Sequence, residues 1–190
     1  MSDFFVHETA FVDQGADIGE GTRIWHYSHV MKGAKVGKNC IIGQNVFIGP
    51  GAVIGDGSKI QNNVSVYQGV VLEQDVFCGP SMVFTNVLTP RAHVERKEEF
   101  LETRVRKGAT LGANSTIVCG NVIGEYSMVA AGATVTRDVQ PHSLVMGTPA
   151  RHAGWVCTCG ERLHPGSDKT YECLRCKSRF REESGVLVAL

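Results

Sequence analysis

The chain has 190 residues, 43 % hydrophobic and 20 % charged, a composition too apolar for a disordered segment and sufficient for a sizeable core. Nineteen basic residues balance nineteen acidic ones, and a pI near 7.0 removes the electrostatic footprint of a nucleic-acid or polybasic membrane binder. No stretch reaches the ~18 uninterrupted apolar residues of a membrane span, so neither a nucleic-acid partner nor membrane insertion is expected.

Met1-Ser2-Asp3-Phe4-Phe5 lacks a basic region and an extended apolar run, so no secretory leader is expected. Seven cysteines is an odd count, and Cys40, Cys78 and Cys119 lie inside apolar repeats. That argues against a secreted disulfide framework and for a reducing cytoplasm. The 22 glycines exceed the roughly 7 % usual share, and with only six prolines they do not mark low-complexity linker.

A period of six runs through the chain. Val6, Val12, Ile18, Ile24, Val30, Val36, Ile42, Ile48, Ile54, Ile60, Val66, Leu72, Cys78 and Phe84 stand six apart. The period resumes, three residues out of phase, at Val105, Leu111, Ile117, Ile123, Val129 and Val135. Two residues before most anchors sits a small or modest side chain, such as Ala10, Ala34, Cys40, Ala52 or Ala133. One residue after, Gly recurs at 19, 37, 43, 49, 55, 79, 112 and 124, which suits a turn needing unusual backbone angles. Two inward positions two residues apart are strand alternation, and six is not a helical period. Short β-branched strands joined by tight turns predict a parallel β-helix of six to seven coils.

Between Phe84 and Val105 the rungs stop, and an ejected loop over 87–104 carries Pro90-Arg91-Ala92-His93-Val94-Glu95-Arg96. A loop leaving a regular solenoid is where function is displayed, although a solvated charged excursion is the plainer alternative. Ser81-Met82-Val83-Phe84-Thr85-Asn86 leads in, so the loop begins on a polar amide, Asn86, which either serves chemistry or caps the turn. Gln44, Asn62, Asn63 and Tyr67 recur about one coil apart and are expected to line one prism edge, as a substrate surface or as an asparagine ladder supporting turns.

The motif [Leu/Ile/Val]-Gly-x-x-[small]-x resembles the hexapeptide repeat of the left-handed β-helix superfamily. That resemblance implies an all-β left-handed parallel β-helix, three hexapeptides per coil and a homotrimer. The blocks Ile24-Trp25-His26, Gln61-Asn62-Asn63-Val64-Ser65-Val66-Tyr67, Phe84-Thr85-Asn86 and Gly147-Thr148-Pro149-Ala150-Arg151 narrow it. They resemble nucleotide-sugar 3-N-acetyltransferases, closest to the UDP-2-acetamido-3-amino-2,3-dideoxyglucuronate N-acetyltransferase family of O-antigen synthesis. The resemblance implies acetyl-CoA as co-substrate and a UDP-linked amino sugar as acceptor, with a dTDP-linked 3- or 4-amino sugar as the alternative. It places Asn86 beside the reacting amine; His93, as in many hexapeptide acyltransferases, is the competing general base or else a solvated loop histidine, and His26 and His29 stand at most at the substrate edge. Arg91 and Arg96 are candidate partners for substrate carboxylate or diphosphate through bidentate pairing. The coenzyme is expected along the later coils, at Gly112, Ala113 and Ala131, with Arg137 and Arg151 meeting its phosphates. A γ-type carbonic anhydrase, which shares the fold, needs a His pair at i and i+5, and no such pair exists here. A non-enzymatic solenoid would leave the loop and the amide series unexplained.

The β-helix is expected over 1–153 and a separate tail over 154–190. The tail carries Cys157-Thr158-Cys159 and Cys173-Leu174-Arg175-Cys176. Four thiolates in two close pairs resemble a zinc ribbon holding a structural Zn2+, although C-x-C departs from the usual C-x-x-C knuckle. Free thiols, disulfides and substitution by His164 are the alternatives.

Overall fold

The computed structural model describes residues 3–190, so Met1 and Ser2, the first residues of the expected 1–153 β-helix and part of the segment read for a leader, lie outside the described part. All twenty anchors close a strand of two or three residues, from Phe5–Val6 to Thr134–Val135. Each strand pairs in parallel with the strand one coil away. Ile42, for example, lies between Ile24 and Ile60. Three sheets result, of ten, seven and six strands, here called sheets one, two and three, and they form the faces of a left-handed β-helix of about eight turns. The count exceeds six to seven because winding continues after the periodic anchors end. Val139 bridges Ile123, and Ser143–Met146 pairs with Met128–Val129.

The anchors fill the prism. Ile24, Ile42, Ile48, Ile60, Leu111 and Ile117 are fully buried. Val6, Val12 and Ile18 are only half-buried, because no coil lies beneath them among the described residues. Some of the hydroxyls at the small inward positions bond between coils, whereas those of Thr103 and Ser115 are buried without a partner among the described residues. Thr22 Oγ1 donates to Gly37 O at 2.8 Å and accepts from Cys40 N–H at 2.9 Å, and Ser28 repeats the arrangement with Gly43 and Val46. A buried hydroxyl with both partners escapes the penalty of an unpaired polar group.

The glycines after the anchors work differently from the expectation. None of the eight has a positive φ; at Gly112 a Cβ would stand 2.5 Å from the Ala131 nitrogen, and at Gly79 2.6 Å from the Ala113 nitrogen. They are glycine because the next coil's backbone occupies the side-chain position. The left-handed angle falls further into the turn, where Asn45 (φ 55°), Asn63 (φ 62°) and Asn114 (φ 54°) take it alongside other glycines.

The ejected loop is shorter than expected at its far end. Thr103–Val105 already pairs with Val70–Leu72, and Leu101 N–H donates to Asn86 O at 3.0 Å, closing the loop's base. Beyond the coils the chain reverses. Arg151–Val156 runs antiparallel to Ser143–Met146 and to Arg162–Leu163, so one strand crosses the expected 153/154 boundary. A three-stranded antiparallel sheet over residues 170–189 completes the tail. Its core is separate: Trp155, Leu163, Tyr171, Phe180 and Leu187 pack with Cys157 and Cys173. The tail leans on the last coil through Phe180 against His142 (5.3 Å), and His142 in turn stacks on Tyr126 (5.5 Å).

Candidate active site

The prism has three edges, and the sequence-derived residues divide between two of them. Edge one joins sheets one and two at 25–28, 43–46, 61–64, 79–82, 112–115 and 130–133. Edge two joins sheets two and three at 49–52, 67–69, the ejected loop, 118–121 and 136–139. Gln44, Asn62, Asn63, Gly112, Ala113 and Ala131 lie on edge one. Tyr67, Asn86 and Arg137 lie on edge two. The expectation that Tyr67 shares an edge with the amides is thus corrected: it follows its strand, Ser65–Val66, where Asn62 and Asn63 precede it. A strand of two residues is enough to carry the chain from one edge to the next.

Asn86 stands half-buried where the loop leaves the coil. Its backbone carbonyl holds Leu101, whereas its side-chain amide has no hydrogen-bond partner among the described residues. A turn-capping asparagine would engage that amide locally, so the capping alternative loses its basis. The neighbouring Thr85 Oγ1 accepts from Cys119 N–H at 3.0 Å and fixes the loop root to the next coil. Within the loop, His93 is exposed and makes no side-chain hydrogen bond among the described residues. Arg91 donates to Pro90 O at 3.1 Å. Arg96 donates twice to the Glu99 carboxylate, both at 2.8 Å, so its guanidinium braces the loop internally instead of standing ready for a ligand anion.

On edge one, Asn62 and Asn63 form the ladder that was the plainer alternative. Asn62 Oδ1 accepts from Gln44 N–H at 2.9 Å, and Asn63 Oδ1 accepts from Asn45 Nδ2 at 3.0 Å. A cleft of about 310 Å³ still opens there, lined by Trp25, His26, Gln44, Gln61 and Asn62. His26 stacks on His7 with ring centroids 3.6 Å apart. The block Ile24-Trp25-His26 was visible in the sequence, but its placement beside Gln44 depends on the 18-residue coil.

Further along edge one the ladder stops. At some turns the second residue donates its amide to a side chain of the adjacent coil, as Lys38 does to Asp56 and Lys107 to Glu73, and at others it does not. At Ala113 and Ala131 no such acceptor exists among the described residues, so both N–H groups are free for a ligand carbonyl. Gly112 is not free: its N–H donates to Val129 O at 2.8 Å and its Cα faces the next coil.

Arg137 and Arg151 meet at the C-terminal end. They line a cleft of about 350 Å³ together with Gln140, Ser143 and His152. Ser143 Oγ and His152 Nδ1 share a hydrogen bond of 2.7 Å, and the Trp155 ring meets His152 edge-on at 4.5 Å. Ser143 is buried, so the pair orients the imidazole and exposes no nucleophile. His152 was not expected at a site; only the reversal of the chain at 147–150 brings it there. The four tail cysteines converge, with all Sγ atoms within 4.8 Å of one another. Among the described residues no helix is long and apolar enough to cross a membrane.

Comparison with known proteins agrees with this architecture. Residues 15–50 and 40–74 match the bacterial transferase hexapeptide family (six repeats), and residues 103–137 match the hexapeptide repeat of succinyl-transferase. The chain is 46 % identical over 93 residues to dTDP-3-amino-3,6-dideoxy-alpha-D-galactopyranose 3-N-acetyltransferase of Aneurinibacillus thermoaerophilus, covering 49 % of this chain and 47 % of that one. A putative serine acetyltransferase of Schizosaccharomyces pombe matches at 46 % over 52 residues, 27 % of this chain and 19 % of its own. The chain thus spans about half or less of the curated relatives it matches. Among solved structures, the acetyltransferase domain of PglB from Neisseria gonorrhoeae FA1090 in complex with acetyl coenzyme A superposes with a TM-score of 0.52 at 20 % identity, over 80 % of this chain and 58 % of that one. At that identity the likeness concerns the fold. With hexapeptide matches spanning half its length and a three-faced parallel solenoid built on every repeat, the chain belongs to the hexapeptide-repeat transferase family.

Proposed function

We propose that the chain is an acetyl-CoA-dependent N-acetyltransferase that acylates the 3-amino group of a nucleotide-linked amino sugar. The observation that carries this reading is Asn86, half-buried at the root of the long interruption of the coils, with its side-chain amide engaged by nothing among the described residues. The name of the Aneurinibacillus relative supports the reaction class. The acceptor expected from the sequence is UDP-2-acetamido-3-amino-2,3-dideoxyglucuronate, and the relative's name speaks equally for a dTDP sugar.

In this reaction the amine nitrogen attacks the thioester carbonyl carbon, a C–N bond forms and the C–S bond breaks. The proton released from nitrogen leaves on the departing coenzyme sulfur. A sugar amine with a pKa of ~8, like an α-amino group, is partly neutral at physiological pH and needs positioning more than a strong base. The Asn86 side-chain oxygen accepts a hydrogen bond from the amine and turns its lone pair toward the thioester. The amides of Ala113 and Ala131 bind the carbonyls of the pantetheine arm. Arg137 and Arg151 neutralise coenzyme phosphates, and Arg91 remains the loop cation for the substrate diphosphate. Gln44, with Trp25 and His26 beside it, offers amide and ring surfaces for the nucleotide.

Edges one and two flank opposite margins of sheet two, so a single chain does not juxtapose Asn86 with Ala113 and Ala131. A closed homotrimer, in which edge two and its loop face edge one of a neighbouring copy, assembles both halves. The mass of the protein in solution tests this, and a monomer that turns over substrate would overturn it.

The test of the reaction is thiol release from acetyl-CoA with a panel of UDP- and dTDP-linked 3- and 4-amino sugars. Release with at least one 3-amino sugar is expected, and silence across the panel would sink the reading. Asn86→Ala is expected to lower turnover about 100-fold, on the scale of a lost positioning contact, while His93→Ala retains it. The reverse result would make His93 the base.

A further inference from the structure

We infer that Cys157, Cys159, Cys173 and Cys176 hold one zinc ion as four thiolates, and that this ion fastens the tail over the C-terminal end of the solenoid. The four residues come from two turns of closely similar construction. In the first, Cys157 N–H donates to Glu161 O and Gly160 N–H to Cys157 O, both at 2.8 Å. In the second, Cys173 N–H donates to Ser178 O and Lys177 N–H to Cys173 O, both at 2.9 Å. Each turn also takes a left-handed residue directly after its second cysteine, Gly160 at φ 86° and Lys177 at φ 64°. The shorter C-x-C spacing therefore still yields a turn that presents both sulfurs to one side.

The sulfurs interleave across the turns. Cys157 Sγ lies 3.3 Å from Cys176 Sγ, and Cys159 Sγ lies 3.5 Å from Cys173 Sγ. A tetrahedral ion with Zn–S bonds of ~2.3 Å sets its sulfurs about 3.8 Å apart, close to this spacing. One member of each pair is buried and the other exposed, so the ion would sit at the tail surface with a path for entry. All-sulfur coordination selects a borderline-soft divalent ion over magnesium or calcium. Four protein ligands close the shell, leaving no position for water or substrate, which makes the role structural.

The tail's own packing explains the need. Its core contains seven buried residues, and two of these are the ligands Cys157 and Cys173. Besides that packing, the Arg151–Val156 strand reaches the sheet over residues 170–189 through Trp155 Nε1–H, which donates to Glu182 at 3.2 Å; within the sheet the Tyr171 hydroxyl donates to the same carboxylate at 2.9 Å. Small antiparallel units of this size are marginal without a staple. Because Arg151–Val156 is both the strand that leads to the first turn and a wall of the Arg137–Arg151 cleft, the ion would stiffen that cleft from behind.

The test uses the full chain, purified under reducing conditions and without a metal-binding tag. Metal analysis is expected to give one zinc per chain, and replacement by cobalt(II) the visible absorption of a tetrahedral thiolate site. Cys176→Ser is expected to lose the metal and Cys176→His, a Cys3His set, to retain it. Chelation is expected to accelerate hydrogen exchange across residues 157–190 and to leave the amides of 24–135 unchanged. Substoichiometric zinc after reconstitution in reductant, full zinc retention by Cys157→Ser and Cys176→Ser together, or an intact mass showing the four thiols oxidised to two disulfides in the reduced preparation would each overturn the inference.

Discussion

The coils and the tail bury apolar side chains by opposite means. In the coils one anchor per rung enters a shared interior, and thirty buried residues from Ile24 to Ala150 form a single cluster. In the tail seven residues, two of them cysteines, form another. A coil needs no side-chain contact outside its neighbours, because each strand's backbone bonds and anchor are completed by the strands 18 residues away. The tail has no repeat to stack on, so distant residues must converge once and stay converged. A periodic sequence makes stability cumulative, whereas a short aperiodic segment depends on a few contacts with large loop-closure cost.

The sharpest way to break that comparison is Phe180→Ala. Truncating a buried phenylalanine costs about 3–5 kcal/mol, which is of the order of all that a small core supplies. Hydrogen exchange is expected to accelerate throughout 157–190 while amides of the coils keep their protection. Loss of protection along the whole chain would mean the two regions are one cooperative unit. Ile60→Ala probes the other side. Ile60 is fully buried at mid-solenoid, and its truncation is expected to destabilise by about 2–5 kcal/mol. At roughly 2–4 °C per kcal/mol for a chain of this size, the thermal midpoint of the coils falls, with no change in metal content.

Two glycine substitutions sharpen the account of the turns. Gly112→Ala puts a Cβ within 2.6 Å of the backbone of Ala130 and Ala131, and overpacking of that kind costs roughly 1–3 kcal/mol. Gly132→Ala meets nothing within 4 Å but must hold φ near +70°, a penalty of about 1–2 kcal/mol. Denaturant midpoints are expected to rank Gly112→Ala as the more destabilised. Equal or inverted midpoints would return the anchor-following glycines to a conformational role.

The smallest effect concerns the N-terminal coil. Asp13 accepts from His29 Nε2 at 2.8 Å and from Lys32 N–H at 3.1 Å. The His29 hydrogen bond, with the Lys32 amide second, holds the Asp13 carboxyl below the usual carboxylate value. A depressed folded pKa gives stabilisation that is complete above the unfolded value of ~3.9 and is lost as pH falls through the lower folded value. Protection at 29–32, taken relative to the intrinsic exchange rate at each pH, is therefore expected to hold down to about pH 4 and to fall below it, and Asp13→Asn to abolish that acid step. An acid step that persists in Asp13→Asn would assign it to another group.

Much of the fold was legible because its signal is local. Every anchor from Val6 to Val135 ends a strand, and the interruption after Phe84 is a loop rooted at Asn86. The reading of the glycines failed for a physical reason. Gly79 and Gly112 are constrained by the backbone of the following coil, a contact that turn propensity does not contain. Tyr67 was misplaced because its neighbourhood in sequence, beside Asn62 and Asn63, hides a change of edge across two residues. Arg96 looked like a free cation, and its partner Glu99 lies in the same short helical turn of the loop.

Rung spacing, the inward residues, the place of the interruption and the two cysteine pairs are all readable from the order of residues. All of these follow from nearest-neighbour chemistry repeated at a constant period. Only the tertiary structure decided which edge each residue occupies, that the amides of Ala113 and Ala131 stay unpaired, that Arg137 and Arg151 share a cleft, and that four sulfurs from two turns meet. These depend on how the chain closes a coil of eighteen residues and then reverses on itself. Proximity of that kind is set by backbone geometry between residues that share no local pattern, and so it leaves no mark on either segment alone.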